Sequence, residues 1–174
     1  MITNDFWALG PNNTHYPGGF PAGFLNRLKR EGYWGENRLH ICSGTVTDGT
    51  TIDISREPKG KHQVRPHIQG DAETLPFKDK SFDFVLIDPP YSKEKSVDLY
   101  QVSYCSIPKV MNEASRVTKT RGLVVLLDMR TWRSPKNTEL VALIAIYMAN
   151  KGPKPLRALT VYRKINQTSL KKYA

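Results

Sequence analysis

Phe82 to Ile87 is a short run of apolar residues, aromatic and branched, broken only by Asp83. Its pattern predicts a buried strand. The strand must stop at Asp88, because Pro89 and Pro90 offer no amide hydrogen to a ladder and push the residue before them out of helical geometry. Leu123 to Leu127 predicts a second buried strand, again ended by a carboxylate, Asp128. Between the two, Val97 to Ser106 is amphipathic, with Tyr100 and Tyr104 one helical turn apart and read as core. Ile107 to Thr118 predicts another helix, opened by Pro108 and closed by a glycine cap at Gly122. Nearer the start, apolar residues at 20, 24, 25 and 28 have helical spacing, with Pro21 in the first turn. Val64 to Ile68 predicts a further strand. Leu140 to Met148 has no clear period. A strand is favoured there over a helix at 138–149, because Leu156 to Ile165 follows as a second strand after the Asn150-to-Pro155 turn. Phe6 and Trp7 read as a core plug, Gly10 to Asn13 as a loop, Ser92 to Lys95 as a mobile loop, and the tail from Asn166 as frayed.

Composition narrows the class. The 174 residues are 39% hydrophobic and 10% aromatic, which suits one globular domain spanning 1–174. The longest apolar run is far too short to span a bilayer. Cys42 and Cys105 are the two cysteines; without CxxC spacing or a signal-peptide pattern they are expected as free thiols in a reducing cytoplasm, and no metal site is expected. The net charge of +10 is uneven. Residues 1–120 hold 15 basic and 14 acidic side chains, a net of +1, whereas 121–174 hold 11 and 2, a net of +9. That asymmetry points to a polyanionic partner, nucleic acid first. Arg130, Trp132 and Arg133 interleave an aromatic with charge after the Asp128 strand, and Lys151, Lys154 and Arg157 flank the last hairpin. These six are the nucleic-acid-binding candidates.

Asp88-Pro89-Pro90-Tyr91 resembles the signature of S-adenosylmethionine-dependent methyltransferases that modify exocyclic amino groups of adenine or cytosine. The longest literal likeness runs from Gly70-Asp71-Ala72 through Leu75-Pro76-Phe77 to Tyr91. Glu113 to Lys119 resembles the helix before the fifth strand of that family. The resemblance implies a Rossmann-like class I methyltransferase sheet, mostly parallel, with an antiparallel C-terminal edge hairpin. It also implies S-adenosylmethionine as cofactor. Asp88, Pro89, Pro90 and Tyr91 would be catalytic. Phe20 and Pro21, Cys42 and Gly44, Asp53, and Asp71 with Ala72 would touch the cofactor.

The cofactor turn departs from the family. Gly44 is the one glycine left of the usual three, with Cys42 and Val46 in the other two places and His40 where an acidic residue is common. Asp53 follows Gly44 so soon that the helix between the first two strands must be reduced or absent, since a parallel crossover needs more chain. Asp53 is read as a ribose contact or as a plain strand-end carboxylate, and Asp71 as an adenine contact or a turn cap. By resemblance the reaction is methyl transfer to a nucleobase amino group, with adenine N6 in DNA favoured over RNA. The alternatives are a weak or inactive methyltransferase-fold subunit that binds nucleic acid, an RNA base methyltransferase, and a small-molecule or protein-amine enzyme. No separate recognition domain is expected. Either the basic edge suffices, or a homo-oligomer or specificity subunit completes recognition.

Overall fold

The computed structural model describes residues 1–149 and 156–166. Eight strands form one sheet: β1 (Thr3–Leu9), β2 (Arg38–Ile41), β3 (Thr50–Asp53), β4 (Ile68–Gln69), β5 (Phe82–Ile87), β6 (Thr118–Asp128), β7 (Thr138–Met148) and β8 (Arg157–Lys164). Their order across the sheet is β1-β7-β8-β6-β5-β2-β3-β4. All neighbours are parallel except β8, which runs antiparallel to both β6 and β7. This is the expected mostly parallel Rossmann-like sheet with an antiparallel hairpin at one side.

Alternation along the strands builds two cores. One face carries Leu39, Ile41, Val85, Ile87, Val124 and Leu126 under helix α3 (Ile107–Val117). The other carries Phe84, Leu86, Val125, Leu127 and Ile144 under helix α1 (Phe24–Arg30). Residues 42–49, between β2 and β3, contain no helix, as the short spacing required.

Several elements differ from the sequence expectations. Phe6 and Trp7 belong to β1, which pairs with β7; Trp7 is buried in the core as expected, whereas Phe6 is exposed. The strand escapes a pattern search because its side chains are mostly exposed and only Trp7 is buried. Helix α1 begins at Phe24 rather than in the turn with Pro21, because Ala22 is held in a bridge to Gly10 and Gly23 is left-handed at φ 81°. The strand expected over 64–68 shrinks to Ile68–Gln69. Ser92 is not in a loop but caps helix α2 (Lys93–Tyr100), its Oγ accepting from the Lys95 amide at 3.2 Å. Gln101, left-handed at φ 54°, ends that helix, so Tyr104 lies beyond it and the two tyrosines do not share one. Gly122 is not a helix cap: α3 passes straight into β6, where a Cβ at Gly122 would meet the Asp83 carbonyl at 2.8 Å. Residues 138–148 are a strand, as favoured.

Candidate active site

The carboxyl ends of β2, β3 and β5 open on one cavity of about 750 Å³, within the range of small-molecule sites. Cys42, Gly44, Asp53, Asp71, Ala72, Asp88 and Pro90 all line it. The sequence did not single out Tyr16, Gly18 or Lys59, yet these line it too, and Tyr100, read from the sequence as core, is a fourth. They sit on loops and a helix end, and no local pattern announces that loops converge. Phe20 and Pro21 are elsewhere: they border a smaller cavity, and Phe20 stacks on Phe24 with ring centroids 4.8 Å apart.

Asp88 follows β5 directly, its amide donating to the Ile41 carbonyl at 3.3 Å. Its Oδ1 accepts from the Tyr91 hydroxyl at 2.8 Å. Burial raises the carboxyl from 3.8 to about 7, against the opposing pull of Arg157 and the Tyr91 hydrogen bond. Arg157, at the start of β8, lies with its guanidinium 5.3 Å from the centre of the Tyr91 ring. The ammonium of Lys95 is 5.6 Å from the same ring. Arg157 Nη1 is buried without a partner among the described residues. The residue counted at the sequence level with the basic edge therefore stands beside the Asp88 site. Burial first, and then the negative Asp88, pushes the Tyr91 hydroxyl well above its ordinary value, so it stays a donor.

Asp53 holds the cofactor turn together. Its Oδ2 accepts from the Gly44 amide at 3.4 Å, and its Oδ1 from the Ser55 amide and from Lys59 Nζ, each at 3.2 Å. Lys59 is buried and also donates to the Ser55 carbonyl at 3.0 Å. Gly44 is left-handed at φ 54°, and a Cβ there would come within 3.3 Å of the Tyr16 ring, so the turn keeps the close approach that glycine permits. Cys42 is left-handed as well, at φ 55°, holding a conformation glycine would adopt without strain. Asp71 Oδ1 accepts from the Glu73 amide at 2.8 Å. The capping bond is thus present, while Asp71 also borders the cavity.

The nucleic-acid candidates divide. Arg130 and Arg133 are exposed. Trp132 is half-buried, packs against the core, and donates Nε1–H to Asp128 Oδ2 at 2.6 Å, so it is no free platform. Lys151 and Lys154 lie outside the described residues.

A parallel sheet whose strand ends carry a glycine turn and three carboxylates around one cavity defines a Rossmann-like enzyme that binds its ligand at the carboxyl edge. The family model described as "Methyltransferase domain" matches residues 35–126, just over half of the chain. The chain belongs to that family, and the cofactor the sequence leads one to expect is S-adenosylmethionine. Among solved structures, a protein from Bacillus halodurans C-125 described as a methyltransferase aligns with a TM-score of 0.54 and 16% identity, covering 82% of this chain and 99% of its own. A SAM-dependent methyltransferase from Methanosarcina mazei aligns at 0.50 and 15%, covering 80% and 98%. TrmN from Thermus thermophilus aligns at 0.53 and 15%, covering 81% of this chain and 48% of that one. At such identities the common feature is the fold. No curated protein sequence matches. The cavity suits the cofactor chemically: Gly44 leaves a cradle that a Cβ would fill, and Asp53 and Asp71 offer acceptors for hydroxyl and amino hydrogens.

Proposed function

We propose that the protein transfers a methyl group to an exocyclic amino group of a nucleobase, adenine N6 in DNA first among them. The likeness of the Asp88-to-Tyr91 segment to the DPPY signature of amino-methyltransferases supports this reading. The observation that carries this reading is the Tyr91 hydroxyl on Asp88 Oδ1. A hydrogen-bond donor already occupies the position an amino hydrogen of the substrate would take.

When bound, the cofactor supplies an electrophilic methyl group, and Gly44, Asp53, Asp71 and Ala72 would hold it. The remaining chemistry belongs to the chain. A base amino nitrogen is a poor nucleophile because its lone pair is delocalised into the ring. Asp88 and the Pro89 carbonyl accept its two hydrogens, which favours a pyramidal nitrogen with its lone pair directed at the methyl donor. The rate gain comes from position and fixed dipoles, with no covalent enzyme intermediate. The amino group displaces the Tyr91 hydroxyl from Asp88, and the freed ring then stacks on the base, which has been turned out of the helix. Arg157 opposes the rise of the Asp88 carboxyl toward its neutral form. Arg130 and Arg133 meet the phosphate backbone. The free thiols of Cys42 and Cys105 suit a cytoplasmic setting.

The test is incubation with labelled S-adenosylmethionine and separate DNA, RNA and protein pools, followed by nucleoside analysis. Label in N6-methyladenine from DNA is expected; label in RNA alone or protein alone overturns the acceptor assignment. Asp88→Ala should abolish transfer while cofactor affinity, read by calorimetry, stays within about threefold, since Asp88 acts on the acceptor. Loss of both together would make Asp88 structural.

A further inference from the structure

Lys59 is the one lysine or arginine among the described residues that line the cofactor cavity, where it shares the wall with five carboxylic side chains, Asp53, Glu57, Asp71, Glu73 and Asp88. It is 8% exposed, deep burial for a lysine. The loop is built to hold it there. Lys59 and Val64 exchange both backbone hydrogen bonds, at 2.8 and 3.0 Å. Between them Gly60 is left-handed at φ 66°, and a Cβ there would come within 2.7 Å of the Thr14 carbonyl and 2.8 Å of the Thr45 methyl. The Lys61 amide donates to the same Thr14 carbonyl at 2.9 Å. This turn is thus seated against the Gly44 turn, and its lysine has little freedom.

An ammonium carries three hydrogens. Among the described residues two have acceptors, Asp53 Oδ1 at 3.2 Å and the Ser55 carbonyl at 3.0 Å. A carboxylate offers about four acceptor positions. At Asp53, Lys59 and the Ser55 amide occupy Oδ1, and the Gly44 amide takes one position on Oδ2. One hydrogen on Lys59 and one acceptor position on Asp53 Oδ2 are left, on the two partners of a single ion pair in the cavity wall.

We propose that Lys59 is a cofactor-binding residue that completes a ribose site with Asp53: Asp53 Oδ2 accepts one hydroxyl hydrogen, and the Lys59 ammonium donates to a hydroxyl oxygen. A vicinal diol presents a donor and an acceptor on adjacent carbons, and the ribose of the expected cofactor carries one. Asp53 alone, with one position open, takes only one of the two hydroxyls. Lys59 has this role only if S-adenosylmethionine is the cofactor, so the role rests on that reading. The methyl acceptor takes no part in it.

Calorimetry on the full chain tests this with S-adenosylhomocysteine, which binds without turnover, and with its 2′-deoxy and 3′-deoxy forms. In the wild type one deoxy form should bind about tenfold more weakly, the loss of a hydrogen bond to a charged group. Lys59→Met should bind S-adenosylhomocysteine about tenfold more weakly than the wild type does. That same deoxy form should bind both proteins within about twofold, because the hydroxyl and the ammonium act as a pair. Lys59→Gln keeps a donor without the charge and serves if Lys59→Met misfolds. In it the effect of the hydroxyl should shrink from about tenfold to about threefold. Equal weakening of Lys59→Met toward all three ligands, or an undiminished hydroxyl effect in Lys59→Gln, would mean that Lys59 only holds Asp53 in place, and would overturn the proposal. Wild-type affinities indifferent to both hydroxyls would overturn it as well. No binding of any of the three to the folded wild type would remove the cofactor reading itself, and the role of Lys59 with it.

Discussion

Asp88 and His40 stand on adjacent parts of the sheet and titrate in opposite senses. The carboxyl of Asp88 is raised from 3.8 to about 7 by burial. The folded protein therefore holds that proton more tightly than the unfolded chain. Its contribution to stability is complete below about pH 4 and is lost as pH rises through 7. His40 is 1% exposed on β2, with neither ring nitrogen bonded among the described residues. Burial lowers it from 6.5 to about 4, so the unfolded chain takes the proton first. Its stability is present above pH 6.5 and is lost as pH falls toward 4, an amount of about 3 kcal/mol. Between pH 4 and 6.5 the two slopes oppose, and the wild-type stability should be nearly flat there. Asp88→Asn removes one slope and should raise the melting temperature at pH 8 while hardly changing it at pH 4. His40→Leu removes the other and should protect the protein at pH 4.5. Thermal melts of the three proteins across that range check this; parallel pH profiles would sink it. In the proposed reaction the raised Asp88 carboxyl would act against function, because a carboxylate accepts amino hydrogens best when ionised, and methyl transfer should then climb with pH through about 7.

At the scale of elements, one side chain connects two stretches that looked separate in the sequence. Arg116, on α3, donates to the carbonyls of Leu75 and Phe77 at 3.0 and 2.8 Å, and it is paired with Glu113 and Asp79. Glu113 in turn accepts from the Leu75 amide at 2.9 Å. The Leu75-Pro76-Phe77 turn is thus clamped to α3 by the residues that carried the second part of the resemblance. Arg116→Met removes the partner of two carbonyls and two carboxylates and should destabilise by about 2 kcal/mol, read as a lower urea midpoint with an unchanged m-value. An unchanged midpoint would show that solvent replaces the clamp. Legibility in the sequence followed the same division between local and distant causes. β5 and β6 were readable because continuous apolar runs belong to strands covered on both faces. β1 was not, since an exposed edge strand carries one buried side chain, Trp7, and gains its identity from pairing with distant β7. Asp53, Asp71 and Asp88 were named from the resemblance to the methyltransferase family, and all three line the cavity. The contacts of Lys59 with Asp53 and of Arg157 with Tyr91 depend on how loops fold back, which no spacing encodes.

For the whole molecule, one group of basic residues gathers at the edge that carries the cavity, while Arg163 and Lys164 end β8 at the opposite edge. The parallel strands send their carboxyl ends to one edge, and β8, running the other way, starts there. Lys93 and Lys95 on α2, Arg130 and Arg133 after β6, and Arg157 at the start of β8 therefore all belong to the edge that carries the cavity. They do not play equal parts. Arg130 and Arg133 are exposed and free to neutralise phosphate, whereas Arg157 is engaged with the Tyr91 ring. If the acceptor is duplex DNA, log K should fall by about 0.9 per log unit of salt for each phosphate neutralised. Arg130→Gln combined with Arg133→Gln should then lower the steepness of that dependence by about two and weaken binding alike on every sequence. Arg157→Gln should leave the salt slope unchanged and instead shift the rise of methyl transfer to higher pH, because Asp88 loses a nearby positive charge. Fluorescence anisotropy over a salt series, paired with a pH–rate profile, separates the two roles. A flat salt dependence in the wild type would remove nucleic acid as the partner of this edge, and a salt slope that fell with Arg157→Gln would return that residue to the phosphate-binding set.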